Sequence, residues 1–211
     1  MSFIEVLSLV ANAVIAISAA AGASAAWQGL NTWKNQANFE TNHDLARKIL
    51  VQFFRHRDAI STVRNPIMWA HETRAAIQMV EVDQRDVGEE KKNFLGIAYA
   101  YDDRWQQITK VRAELYPLLL EADAIWGSEL DSLVQPLFVL EGELSSYIHR
   151  QLRVDNPDNT KGRREAAQRS LEKSRDVMHA DFGDEDEYKI DYDTKLKAVE
   201  DFLRVKLGNR I

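Results

Sequence analysis

The chain has 211 residues, 27 Lys and Arg against 33 Asp and Glu, a formal net charge of −6, and no cysteine. This length suffices for one domain with a proper core and an appendage, while the missing thiols exclude disulfides, thiolate zinc sites and Cys nucleophiles. The mild acidity argues against a general nucleic-acid binder, and four Pro and nine Gly beside 28% charged residues favour long helices over a sheet.

In chain order, the first element is the charge-free run from Val6 to Trp27. As a helix it is roughly 33 Å long, enough for a hydrocarbon core of about 30 Å, and it is expected to span a membrane. Its halves differ. Val6 to Ile17 holds seven Val, Leu or Ile, whereas Ser18 to Ala26 contains only Ala, Ser and Gly. Met1 to Glu5 has no Lys or Arg, so the basic head of a cleaved signal is missing. Lys34, Arg47 and Lys48 follow the run, so positive charge places the N-terminus outside and the body in the cytoplasm. Trp27 and Trp33 fall where an interfacial aromatic belt lies, and Ser18, Gly22 and Ala26 form a small-residue stripe suited to close helix approach.

Asn35 to Asn42 is expected to be a polar hinge, with Thr41 and Asp44 at capping-box spacing opening the next helix. Leu45, Ile49, Phe53, Ile60 and Val63 share one face of that helix, with Ala46 and Leu50 beside it, until Asn65-Pro66 ends it. A short helix is expected from Glu72 to Val82, followed by a loop. The strongest periodicity then runs through Phe94, Ala98, Tyr101, Trp105, Ile108, Arg112, Leu115, Leu119, Ala122 and Trp126, alternating steps of four and three. That is the seam of a long bundled helix. Pro117 should kink it and Gly127 should stop it. A second seam joins Leu130, Leu133, Leu137, Leu140, Leu144 and Tyr147, widened by Val134, Phe138 and Ile148, with Pro136 as another kink. Beyond the turn Asp155-Asn156-Pro157-Asp158, a charged helix is expected from Lys161 to Phe182. An acidic stretch then leads to a last helix carrying Leu196, Val199, Leu203 and Leu207. No alternating strand pattern of useful length occurs.

The stretches WQGLNTWKNQ, DLARKILVQFFRHRDAISTVRNP, FLGIAYAYDDRWQQITKVRAELYPLLLEADAIWG and AVEDFLRVKL resemble a family of uncharacterised bacterial proteins with an N-terminal membrane segment and a helical body. The resemblance covers most of the chain as scattered motifs. It implies architecture and bacterial origin and carries no assigned activity. Pro117 and Pro136 depart from a family that reads as smoother helix there.

Several short motifs invite a chemical reading. His56-Arg57-Asp58 and Asp181-Phe182-Gly183 spell two kinase tripeptides, but the Gly-rich loop is missing and Val63 stands where the catalytic loop needs Asn. A di-iron bundle needs Glu-x-x-His on two helices, and only Glu40 to His43 matches, with Asp176 to His179 as an Asp variant. Glu141 lies on the apolar side of its helix, and Arg112 on the neighbouring seam is its expected partner. Lys161, Arg163, Arg164, Arg169, Lys173 and Arg175 form a basic helix face that suits either anionic lipid or pairing with the acidic stretch that follows. That stretch holds seven acids between Asp181 and Asp193 without the spacing of a calcium loop, and acids before a helix favour its N-terminus.

The expected architecture is all-α: an N-terminal transmembrane helix in residues 1–33 and, in 34–211, an antiparallel bundle of four to five long helices. No catalytic, cofactor-binding or metal-binding residues are assigned, and no enzyme, cofactor, nucleic acid or small-molecule substrate is expected. The expected function is a membrane-anchored helical interaction or scaffold protein at the bacterial inner membrane, single-pass, with a lipid bilayer and a protein partner or second copy as its contacts. The alternatives are a pore-like homo-oligomer packed through the small-residue stripe and a soluble bundle with a buried first helix.

Overall fold

The computed structural model describes residues 3–83, 88–180 and 186–208, without the side chains of residues 4–15, 31, 35, 37, 38, 75, 76 and 79–83. Its described secondary structure is entirely helical: α1 (Phe3–Val63), α2 (Ala70–Asp83), α3 (Glu89–Trp126), α4 (Glu129–Asp155), α5 (Lys161–Leu171) and α6 (Glu187–Lys206). The all-α expectation holds. Two of the six helices are short rather than long, α2 with 14 residues and α5 with 11. Contacts gather the chain into two units, Met1–Asp44 and Leu45–Ile211.

In the first unit the expected hinge is absent. Asn35 to Asn42 is helical, and Thr41 does not begin a new helix because α1 runs straight through it. The reason is local: between Gly29 and Pro66 there is neither glycine nor proline to interrupt the hydrogen-bond ladder. Gln36 donates to Glu40 at 3.0 Å, a supporting pair one turn apart. The expected membrane span finds no support in the described residues. Among the described residues no helix is long and apolar enough to cross a membrane. The described part of the run, Ala16 to Trp27, holds Ile17 as its one large aliphatic residue, and its Ala, Ser and Gly contribute little lipophilicity. The lipophilic half, Val6 to Ile15, lies outside the residues whose side chains are described.

The second unit has a core organised by the predicted stripes. On α1, Leu45, Ala46, Ile49, Leu50, Phe53, Ile60 and Val63 are all buried. The α3 seam buries Tyr101, Ile108, Leu115 and Ala122, one residue per heptad, and leaves Trp105, Leu119 and Trp126 half-buried against the core. On α4, Leu130, Val134, Leu137, Leu140, Leu144 and Ile148 are buried. Deleting such a side chain to Ala typically costs about 2–5 kcal/mol, because a close-packed interior collapses only partly around the void.

Side-chain pairings give the helix directions. Arg112 meets Glu141 across Gly127, so α3 and α4 are antiparallel. His56 meets Tyr192 while Arg64 meets Asp186, so α1 runs against α6. Gln52 meets Glu114 while Asn65 meets Arg104, so α1 also runs against α3. α1, α3, α4 and α6 thus form an up-down four-helix body, with α2 folded back on α3 and α5 on α4. Gly96 lets α2 approach: a Cβ there would lie 3.3 Å from Ile77 Cγ1.

α3 begins at Glu89, before Phe94, and both α3 and α4 run unbroken through Pro117 and Pro136. Gly127 ends α3 as expected, with φ at +77° and its N–H donating to Asp123. The helix expected from Lys161 to Phe182 ends instead at Leu171. The cause is tertiary. Residues beyond Leu171 give up helical bonding, and the carbonyls of Val177 and His179 accept from the Arg64 side chain.

Candidate functional site

The polar centre of the body is His56, wholly buried on α1. Its Nε2 lies 2.8 Å from Glu141 Oε2 on α4, and its Nδ1 lies 2.6 Å from the Tyr192 hydroxyl on α6. One assignment of hydrogens satisfies every group: the Tyr192 O–H donates to Nδ1 and the Nε2–H donates to the carboxylate. Burial pushes the Tyr192 phenol well above its ordinary value, so the hydroxyl keeps the proton it donates. The ring of His56 stacks on Tyr192 at 16° and meets Phe138 edge-on at 70°. Arg112 lies over Phe138 with Cζ 3.4 Å from the ring centroid and donates to the same Glu141 oxygen at 3.3 Å. The expected Arg112–Glu141 contact is therefore present, and His56 joins it. Glu–His–Tyr is a constellation that could move protons in an open cleft. Here the imidazole is sealed, so the arrangement ties three helices together and offers a substrate no access.

Three further arginines bind carboxylates, and two of them, Arg64 and Arg104, bind backbone carbonyls as well. Arg64 spans the end of α1, the segment after α5 and the N-cap of α6. It grips Asp186 through two bonds of 2.9 Å. Arg175 forks onto Glu143 and reaches Asp191 at 2.7 Å, which holds the Asp191 carboxyl below the usual carboxylate range.

Arg104 organises the turn between α1 and α2. It donates to the carbonyls of Asn65 and Ile67, each at 2.7 Å, and to both oxygens of Glu72. Glu72 also accepts from the Trp69 N–H at 2.7 Å, capping α2. The hydrogen bonds from Arg104 hold the Glu72 carboxyl below its ordinary value. A depressed carboxylate contributes stability above its unfolded pKa and loses it as pH falls through the folded value. Hydrogen exchange should therefore show the amides of residues 70–78 well protected at neutral pH and losing protection below about pH 4. In Glu72→Gln that protection should already be low at pH 7 and flat on acidification. A Glu72→Gln profile matching the native one would refute the linkage.

The structure disperses the other singled-out residues. His56-Arg57-Asp58 is a stretch of helix in which Arg57 pairs with Asp58. Asp181-Phe182-Gly183 lies outside the described residues. Glu40 and His43 sit within α1 in the first unit, and His179 Nδ1 lies 3.8 Å from Asp176 on the surface. Among the described residues no group of three or more His, Asp or Glu is placed to hold a metal ion. Ser18, Gly22 and Ala26 are exposed along α1. The basic face divides: Arg175 pairs with the acidic stretch through Asp191, Lys161 pairs with Glu165, and Arg163 and Arg164 stay exposed. Of the acids, Asp186 is the N-cap of α6, accepting from the Lys189 N–H at 2.9 Å.

His56 was the residue to find from sequence, and a signal existed. Ile49, Phe53, His56, Ile60 and Val63 step four, three, four, three, which puts the imidazole in the apolar seam. Set against known proteins, the chain matches no family model, no curated protein and no solved structure.

Proposed function

We propose that this chain is a membrane-anchored helical scaffold. The amino-terminal part of α1 attaches it to a lipid bilayer, and the four-helix body presents a fixed surface to a protein partner or a second copy. The observation that carries this reading is the exposure of large apolar side chains in the first unit: Ile17 at 69%, Trp27 at 68% and Trp33 at 65%. They follow or belong to a run without charge, and amphipathic aromatics of this kind favour the membrane–water interface. Lys34 beyond them supports a cytoplasmic body and an N-terminus outside. The resemblance to bacterial proteins with an N-terminal membrane segment points to the inner membrane. The body supports a scaffold role because its buried His56, Arg64 and Arg104 each close on partners within the fold.

Full-length protein should sediment with membranes and resist carbonate extraction. The Trp27→Ser/Trp33→Ser variant should release a substantially larger share into the carbonate supernatant while keeping its helical circular dichroism. Recovery of the native chain in the soluble fraction would overturn the reading.

A further inference from the structure

Between the C-terminal half of α4 and the face of α5 lies a concavity of about 490 Å³, lined by Arg150, Arg153, Arg163, Asn159, Ser170 and two alanines. Its volume falls in the range of small-molecule sites. The lining contains three guanidinium groups and no carboxylate. Among the described residues none of these arginines is paired with an acid; the nearby acids are engaged elsewhere, Asp155 by Gln151 and Asp158 by Lys91. Arg150 Nε is buried without a hydrogen-bond partner, an arrangement proteins seldom tolerate. A second concavity of about 500 Å³ shows the contrast: its Arg55 and Arg104 are paired with Glu114 and Glu72. In a chain of net charge −6, three adjacent unpaired arginines repel one another unless an anion joins them. α5 reinforces the field, since its first turn holds no acidic residue and its N-cap Thr160 makes no side-chain cap bond.

We propose that this concavity is an oxyanion site that takes a phosphate group, with Arg150 and Arg163 as its principal donors. Guanidinium groups suit phosphate because their planar forks match paired oxygens. Asn159, also in the lining, is held by the bond its side-chain amide donates to the Arg153 carbonyl at 2.8 Å. The phosphate belongs either to a soluble phosphate compound or to a lipid headgroup. The site lies wholly within the second unit, so it stands or falls separately from membrane attachment.

The test is calorimetry on the full-length protein in neutral detergent, with pyrophosphate and soluble dihexanoyl phosphatidate as probes. One equivalent should bind, and Arg163→Ala, an exposed position, should weaken binding about tenfold or more. Arg150→Lys keeps the charge and the aliphatic stem, guarding the fold, and should weaken binding similarly by losing the fork. Arg164→Ala, which lines the neighbouring groove with Glu165 and Glu172, should leave affinity within about twofold. Tighter binding of phosphatidate identifies a lipid headgroup, tighter pyrophosphate a soluble compound, and equal affinity recognition of the phosphate alone. No binding of either probe at about 10 mM, or equal weakening by Arg164→Ala and Arg163→Ala, overturns the proposal.

Discussion

Arg64→Ala is expected to destabilise the body by about 3–5 kcal/mol, the usual cost of stripping one partner from a buried ion pair. Arg64 is 4% exposed and all three of its guanidinium nitrogens donate, through four hydrogen bonds. Two bonds of 2.9 Å go to Asp186, Nε donates to the Val177 carbonyl at 2.8 Å, and Nη2 also donates to the His179 carbonyl at 2.9 Å. The ring of Tyr188 lies 4.5 Å beneath its Cζ. Its own carbonyl accepts from the Ala180 N–H at 2.8 Å. Truncation strips both Arg64 bonds from the buried Asp186 carboxylate and removes the guanidinium donor from the Val177 and His179 carbonyls. Asp186 also caps α6, so the start of that helix should fray with it. At roughly 2–4 °C per kcal/mol for a domain of this size, the midpoint should fall by about 10 °C. Arg64→Lys should recover less than half of the loss, because an ammonium restores charge without the fork. Urea unfolding that shows a loss below about 1 kcal/mol would sink this account of Arg64.

His56→Ala should cost about 3 kcal/mol or more through two separable effects. The first is the void left by a ring that is wholly buried among Phe138, Tyr192 and the α1 stripe. The second is polar: the Tyr192 hydroxyl loses its only acceptor among the described residues, while Glu141 keeps Arg112. His56→Leu fills most of the void and isolates the polar share. Adding Tyr192→Phe to His56→Leu removes the stranded hydroxyl, so the double variant should be more stable than His56→Leu alone, by about 1 kcal/mol. Strict additivity of the two changes in a double-mutant cycle would show that the hydrogen bond contributes nothing specific.

Much of the fold was legible because its signals are local and repetitive. The seams on α3 and α4 recur through several heptads, and a stripe of that length has one way to be buried. Tyr101, Ile108, Leu115 and Ala122 are buried at the spacing the periodicity requires. The stop at Gly127 and the end of α1 before Asn65-Pro66 are backbone chemistry, readable without any partner. Two local expectations failed for opposite reasons. At Asn35 to Asn42 polarity suggested a hinge, yet polar residues with no breaker among them continue a helix. Beyond Leu171 the periodicity suggested continuation, yet the chain leaves the helix there and its Val177 and His179 carbonyls accept from Arg64, more than a hundred residues earlier.

The candidate polar sites were less legible, since an ionisable residue on a helix announces its charge but not its partner. His56 could be placed in the seam by counting, but that Glu141 and Tyr192 would meet it depends on the azimuths of three helices. The same holds for Arg150, Arg153 and Arg163, separated by the turn at Asn156-Pro157 and brought to one concavity only when α5 folds back on α4.

The sequence by itself determined the helices of the body, their buried faces and most of their ends, because periodicity, glycine and proline act within a few residues. Only the tertiary structure decided which charges are cancelled and which are brought together around one concavity. Pairing is set by distances of a few ångströms between residues far apart in the chain, and a difference of one helical turn exchanges a salt bridge for an unpaired guanidinium.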